Sequence, residues 1–251
     1  MLTNRETFGL LGRNIAYSFS RKYFAEKFKK LGLHSLIYKN FDLPDIAEFP
    51  FVIYQRKHEF GGMNVTTPYK ESVISYLDTL DPVAAEIGAV NTIKFTADDK
   101  MVGFNTDAHG FRNSLAPLLK PSHQKALVLG TGGASKAVVF ALKQLGIHYR
   151  FVSRRPQGEQ VSYQDLTAAL MKEYTLIINT TPLGTHPHVD ACPDIPFEWV
   201  GESHFLFDLV YNPVKTRFLR EGEKRGALIK NGEEMLVLQA EKSWDIWQSS
   251  L

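Results

Sequence analysis

Apolar and polar positions alternate along this chain in two different rhythms. Over the first hundred residues, strand-like and helix-like pieces mix without a fixed order. "TFGLLG" is a short apolar run ending at Gly12 and reads as a buried strand. "SRKYFAEKFKKLGL" places Phe24, Phe28 and Leu31 at helical spacing, with Lys27, Lys29 and Lys30 off that face. Ser20 is the expected start cap of this helix and Gly32 its stop. "SLIYKNF" reads as a strand, and "FPFVIYQ" suits either state. "GGMNVTTP" predicts a strand then a turn, with Pro68 opening a helix that runs through Ser75. "GAVNTIKFT" and "MVGFNTD" read as strands joined by a hairpin turn at "DDK".

From Gln124 onward the rhythm becomes regular. "KALVLG" predicts a strand, and a helix follows with Ala134, Val138, Ala141, Leu142 and Leu145 on one stripe, ending at Gly146. "HYRFVS", "TLIINTTP", "FLFDLVY" and "ALIKNG" are further buried-strand candidates. Strand and helix in alternation predict an α/β fold with a parallel, doubly wound sheet. The tail "EEMLVLQAEKSWDIWQ" is amphipathic, with Leu236, Ala240, Trp244 and Trp247 on one stripe.

Composition narrows the classes. The chain has 251 residues, 44% hydrophobic and 22% charged, enough to bury a core in one large domain or two modest ones. Its 29 basic and 27 acidic residues nearly cancel, so no nucleic-acid footprint is expected. A single cysteine, Cys192, forms no intrachain disulfide and offers no zinc spacing. No apolar run approaches a membrane span, and "MLTNRETFGLLG" lacks the pattern of a secretion signal. A cytoplasmic protein with no membrane partner is expected. His186 and His188 stand two apart with no third ligand placed by spacing, so no metal is expected.

The strand–helix turn after "KALVLG" carries Gly130-x-Gly132-x-x-Ser135, a dinucleotide-binding pattern with a small residue in place of the third glycine. Such a turn brings backbone N–H groups and a helix N-terminus to a pyrophosphate, which makes Gly130, Gly132, Gly133 and Ala134 cofactor candidates. The end of the next strand discriminates between cofactors. NAD enzymes usually place a carboxylate there for the ribose 2′-OH. Here the chain reads Ser153, Arg154, Arg155, with no acid before Glu159. Guanidinium forks suit a 2′-phosphate, so NADP is favoured over NAD.

Several short motifs now fall into one order: "GRNIAYSFS", "GGMNVTTPYK", "GAVNTI", "GFNTDAHG", "GTGGAS", "INTTPLG", "FDLVYNP" and "NGEEMLVLQA". Together they resemble the shikimate dehydrogenase family over nearly the whole chain. The resemblance implies NADP-dependent reduction of 3-dehydroshikimate to shikimate, in the biosynthesis of aromatic amino acids. It implies Lys70 and Asp107 as the catalytic pair. An ammonium stabilises negative charge growing on a carbonyl oxygen and donates its proton; in the other direction the amine is a base. The resemblance further implies Ser18, Ser20, Thr66, Asn91, Tyr211 and Gln239 as substrate contacts, and Thr181 and Gly232 beside the cofactor. Ser18 and Ser20, two apart on an extended segment, would face one ligand. Tyr211 is placed on the late strand and Gln239 on the C-terminal helix, whereas Asn64 and Thr67 are expected to hold the turn.

From the motif order we expect a substrate-binding α/β domain over residues 1–106, a Rossmann domain over 107–232, and a C-terminal helix over 233–251 returning to the first domain. The protein would be a monomer or a homodimer. Some positions depart from the family pattern. Tyr17 and Arg21 flank the serine pair where histidine and proline are usual, Glu233 and Glu234 stand where a second glycine is usual, and Thr180 and Thr185 replace alanine and methionine. The rival readings are a quinate/shikimate dehydrogenase using NAD or NADP, a methylenetetrahydrofolate dehydrogenase-like enzyme, and a non-catalytic metabolite sensor.

Overall fold

The computed structural model describes residues 5–16, 18–54 and 56–249. The chain divides into two compact units: residues up to Thr106 together with those from Ala240 on, and Asp107–Gln239. Tyr17, noted above as a departure, lies outside the described residues.

The first unit contains β1 (Thr7–Gly12), α1 (Phe19–Lys30), β2 (Ile37–Asp42), α2 (Phe49–Ile53), β3 (Phe60–Val65), β4 (Thr79–Leu80), α3 (Pro82–Ile87), β5 (Thr92–Phe95) and β6 (Met101–Phe104). These strands form one mixed sheet in the order β2-β1-β3-β5-β6-β4. The pairs β1–β2, β1–β3 and β4–β6 are parallel; β3–β5 and β5–β6 are antiparallel. Side chains alternate across the sheet, as the two-residue period of a strand requires, except at the register shift between Phe60 and Gly62 of β3, which lets Phe60 and Met63 share a face. Leu11, Phe60, Met63 and Ile93 face a core that includes Phe49, Val73 and Ala84. Phe8 and Leu10 face the other core, with Phe24 and Phe28 of α1 and with Ala240, Trp244 and Trp247 near the chain's end. The Phe8 ring lies 5.1 Å from Trp247 and 5.5 Å from Phe28, within the range of favourable aromatic contact. Gly62 makes this possible, since a Cβ there would come within 2.1 Å of the Trp247 indole nitrogen. That nitrogen donates to the Ile93 carbonyl at 3.0 Å.

Several local expectations change. "FPFVIYQ" resolves as the short helix α2. Ser18, not Ser20, caps α1, accepting from the Arg21 amide, and Leu31 is exposed rather than buried. Pro68 sits in a turn and opens no helix; a 3-10 turn over Ser72–Tyr76 stands where the helix was expected.

The second unit contains α4 (Asp107–Leu115), β7 (Lys125–Leu129), α5 (Gly133–Gln144), β8 (His148–Val152), α6 (Ala168–Glu173), β9 (Leu176–Asn179), β10 (Phe205–Asp208), α7 (Arg217–Glu223), β11 (Leu228–Lys230) and the first residues of α8 (Glu233–Gln248). Its sheet is wholly parallel, in the order β11-β10-β9-β7-β8. Both faces are covered. Ala126, Val128, Ile178 and Phe207 pack against α4 and α5, whereas Leu127, Leu129, Ile177 and Leu206 pack toward α6 and α7. This is why these strands read as continuous apolar runs. The order reverses between β7 and β9, and in open α/β sheets ligands bind outside the carboxyl ends of the strands at such a reversal.

Candidate active site

In the first unit, β3 runs into the turn that bears Thr66 and Lys70. The Thr66 amide donates to the Leu11 carbonyl at 2.9 Å, and the Val90 amide donates to the Lys70 carbonyl at 2.7 Å. One strand over, the Val65 amide donates to the Asn91 carbonyl at 2.8 Å. These bonds bring Thr66, Lys70 and Asn91 together. Tyr69, buried between them, anchors the turn from below through its hydroxyl on the Leu43 carbonyl at 2.6 Å. The Lys70 side chain is half-buried.

Beneath this turn lies a buried polar network that sequence reasoning did not foresee. The Asn91 amide oxygen accepts from the Thr106 N–H at 2.7 Å, and its nitrogen donates to the Thr106 hydroxyl at 2.9 Å. The hydroxyls of Thr92, Thr106 and Ser243 lie within 2.8–3.3 Å of one another. Asn64 is a hub rather than a turn residue. It sits inside β3, accepts from the Tyr38 hydroxyl at 2.8 Å and donates to Ser243 at 3.0 Å. Ser20 bonds the Tyr38 hydroxyl, whose burial holds the phenol well above its ordinary range. Ser20 is therefore tied to Asn64 through Tyr38. The extended Ser18–Ser20 segment is corrected by this structure: Ser18 caps α1 and Ser20 lies within its first turn. The missed signal was isolated polar residues inside apolar strands, "LIYKNF" and "NTIKF".

In the second unit, Asp107 is the first residue of α4 and is buried. One turn on, a Cβ at Gly110 would fall 2.5 Å from the Met235 carbonyl and 3.1 Å from Gln239, so α4 and α8 approach at backbone distance. Gln239 is buried and donates to the Leu236 carbonyl at 2.8 Å. Tyr211 lies in the loop after β10, not on the strand.

The carboxyl ends of β7 and β9 frame the cofactor candidates. Gly130 takes φ +101°, open to glycine, and a Cβ there would come within 2.9 Å of Thr181. The Thr180 hydroxyl donates to the Leu129 carbonyl at 2.7 Å, closing this turn onto the next strand's end. Gly132 caps α5, and a Cβ there would meet no atom within 4 Å. Open space above the first N–H groups of a helix is what a pyrophosphate requires. Ser135, in the third-glycine position, is buried and turns its hydroxyl back onto the Gly132 carbonyl at 2.6 Å. Its hydroxyl is thus engaged within the first turn of α5. Beyond β8, the Ser153 hydroxyl accepts from the Arg155 amide at 3.2 Å. Arg154 and Arg155 are exposed, and neither forms an ion pair among the described residues. These residues fit a dinucleotide with a phosphorylated ribose. Gly232 has a structural duty of its own, since a Cβ would lie 2.2 Å from the Leu209 carbonyl. Among the described residues no three His, Cys, Asp or Glu side chains group as a metal site.

Comparisons with known proteins bear on both units. Residues 10–93 match the family described as the shikimate dehydrogenase substrate binding domain. A Shikimate dehydrogenase (NADP(+)) of Clostridium botulinum is 34% identical over 250 residues, covering 96% of this chain and 96% of that protein. The chain belongs to the shikimate dehydrogenase family. The shikimate dehydrogenase of Thermus thermophilus, solved in complex with NADP(H) and shikimate, is 34% identical. It superposes with a TM-score of 0.84, over 96% of this chain and 93% of that one. A chorismate mutase/shikimate 5-dehydrogenase fusion protein from Clostridium acetobutylicum is 33% identical, with a TM-score of 0.87 over 99% of this chain and 93% of that one. The α/β fold with two units, expected from the alternation of elements and from the motif order, is thus the fold of the shikimate dehydrogenases.

Proposed function

We infer that this protein is an NADP-dependent shikimate dehydrogenase, interconverting 3-dehydroshikimate and shikimate. The observation that carries the reading is the turn from Thr66 to Lys70, pinned by backbone bonds beside Asn91, in the part of the chain that matches the family's substrate-binding domain. The parallel sheet with Gly130, Gly132, Gly133, Ala134 and Thr181 at its β7–β9 reversal supports the cofactor. Arg154 and Arg155 would hold the 2′-phosphate and Ser153 the adjoining ribose. When bound, the reduced nicotinamide supplies a hydride to the ring ketone.

The residues of this chain do the rest. During reduction, negative charge grows on the substrate's ketone oxygen. The Lys70 ammonium stabilises that charge and transfers a proton to it. Asp107, the second member of the catalytic pair, shares hydrogen bonds with the reacting hydroxyl. Ser18 and Ser20 address the substrate carboxylate. Thr66, Asn91, Tyr211 and Gln239 each offer the substrate a polar contact, so an analogue lacking a hydroxyl leaves a site group unpaired. Glu233 and Glu234 open α8, where acidic groups favour the helix N-terminus. We assign substrate binding to residues 1–106 with the C-terminal helix, and cofactor binding to the Rossmann unit. A cytoplasmic location fits a chain with one cysteine in which no described helix is long and apolar enough to cross a membrane. A monomer or homodimer is the assembly we assign.

Lys70→Ala tests the chemistry. Loss of the proton donor is expected to lower kcat by roughly 100-fold or more with the shikimate Kd changed only a few-fold. An unchanged kcat would remove Lys70 from the mechanism.

A further inference from the structure

Asp208 ends β10 and has no solvent exposure. A carboxylate taken out of water costs several kcal/mol unless donors surround it. Here three converge. The Asn179 side-chain amide reaches one oxygen at 2.9 Å and the Val210 N–H reaches the same oxygen at 3.0 Å. The Thr216 hydroxyl reaches the other at 2.6 Å. All three partners donate to it, which suits an acceptor-only side chain.

The bonds continue outward in two directions. Asn179, also without exposure, passes its amide oxygen to Thr181, accepting from the Thr181 N–H at 3.0 Å and from its hydroxyl at 2.6 Å. Thr181 is the residue that closes on Gly130. On the other side Val210 belongs to the loop that carries Leu209, against whose carbonyl Gly232 packs, and Tyr211. Thr216 caps α7, accepting from the Leu219 amide while donating to Asp208. A single buried carboxylate thus sits at the crossing of a chain Thr216–Asp208–Asn179–Thr181 with the start of the Leu209–Tyr211 loop.

We propose that Asp208 is a positioning residue that sets two loops at once, holding Thr181 beside the Gly130 turn through Asn179 and holding the Leu209–Tyr211 loop through Val210. The functional half of this inference rests on the reading above, in which Thr181 serves NADP and Tyr211 serves the substrate. The mechanical half does not. Asp208 touches neither ligand; it fixes where the residues that do touch them stand. Retaining an ionisable group in an otherwise apolar interior is explained by the number of donors it must accept. An asparagine there turns an N–H toward one of them.

The test uses the full chain in four forms: wild type, Asp208→Asn, Thr181→Val, and the exchange Asn179→Asp with Asp208→Asn. Amide hydrogen exchange is followed without ligands, and initial rates are taken against NADP+ and shikimate separately. In Asp208→Asn, exchange at both Thr181 and Val210 is expected to quicken by about 10-fold over the rest of the sheet. Both KM values are expected to rise about 10-fold, beyond any fall in kcat. The exchanged pair restores a donor–acceptor match between positions 179 and 208 but leaves the Val210 N–H unmatched. It should therefore recover the NADP+ KM and Thr181 protection while the shikimate KM and Val210 stay perturbed. Thr181→Val should raise the NADP+ KM alone. Quickened exchange at only one loop, or spread evenly over the unit, overturns the proposal, as do unchanged KM values in an active Asp208→Asn variant. If the wild type turns over no shikimate, the functional reading fails, and the exchange measurement alone then decides whether Asp208 couples the loops.

Discussion

Replacing Asp208 by asparagine also isolates the energy of one buried charge. Burial is the largest influence on this carboxyl and pushes it from the ordinary 3.8 up to about 6, against the opposing pull of the Thr216, Val210 and Asn179 hydrogen bonds. Because the folded value lies above the unfolded one, the group's stabilising contribution is whole below the unfolded value. It is lost as pH rises through about 6. The rise from 3.8 to about 6 corresponds to about 3 kcal/mol in total. Between about pH 7.5 and about pH 5 the part recovered is about 1.4 kcal/mol, since protonation is then only partly ahead of that in the unfolded chain. Asparagine has nothing to titrate. Urea unfolding of both proteins across this range should show wild type gaining on Asp208→Asn by about that amount as pH falls. Their difference cancels every other carboxylate, including Asp98 and Glu221, whose partners depress them to about 2. A difference independent of pH would mean that Asp208 is not perturbed by burial. A difference of opposite sign would mean that its three hydrogen bonds outweigh desolvation.

Two further outcomes follow from the packing and the loop chemistry. Trp247→Ala removes a ring shared with Phe8 and Phe24 and strands the Ile93 carbonyl, so urea unfolding should show a loss of about 3–5 kcal/mol; a loss below about 1 kcal/mol would contradict that burial. Arg154→Ala should raise the KM for NADP+ by about 10-fold or more while leaving that for NAD+ nearly unchanged, and equal effects on both cofactors would remove Arg154 from phosphate recognition.

Much of the fold was legible because it follows from period. Strands buried on both faces give apolar runs, and the second unit's β7, β9 and β10 announced themselves that way. The Gly130 turn was legible because only a few residue types satisfy a positive φ at close quarters. What local pattern did not reveal depended on partners far along the chain. Asn64 reads as a turn residue in "GGMNVTTP", yet its partners Tyr38, Thr92 and Ser243 come from β2, β5 and α8. Ser18 and Ser20 read as an extended pair because the helix start was placed two residues late. A cap is a local hydrogen bond, and either serine offers the same hydroxyl. Asp208 is a carboxyl inside the apolar run "FLFDLVY", and its three donors, from Asn179, Val210 and Thr216, explain why the strand tolerates it.

Mixing the purified protein with shikimate and NADP+ and following formation of the reduced cofactor measures the proposed activity itself. Turnover should fall when NAD+ replaces NADP+ or quinate replaces shikimate; no turnover with any of these pairs would refute the assignment.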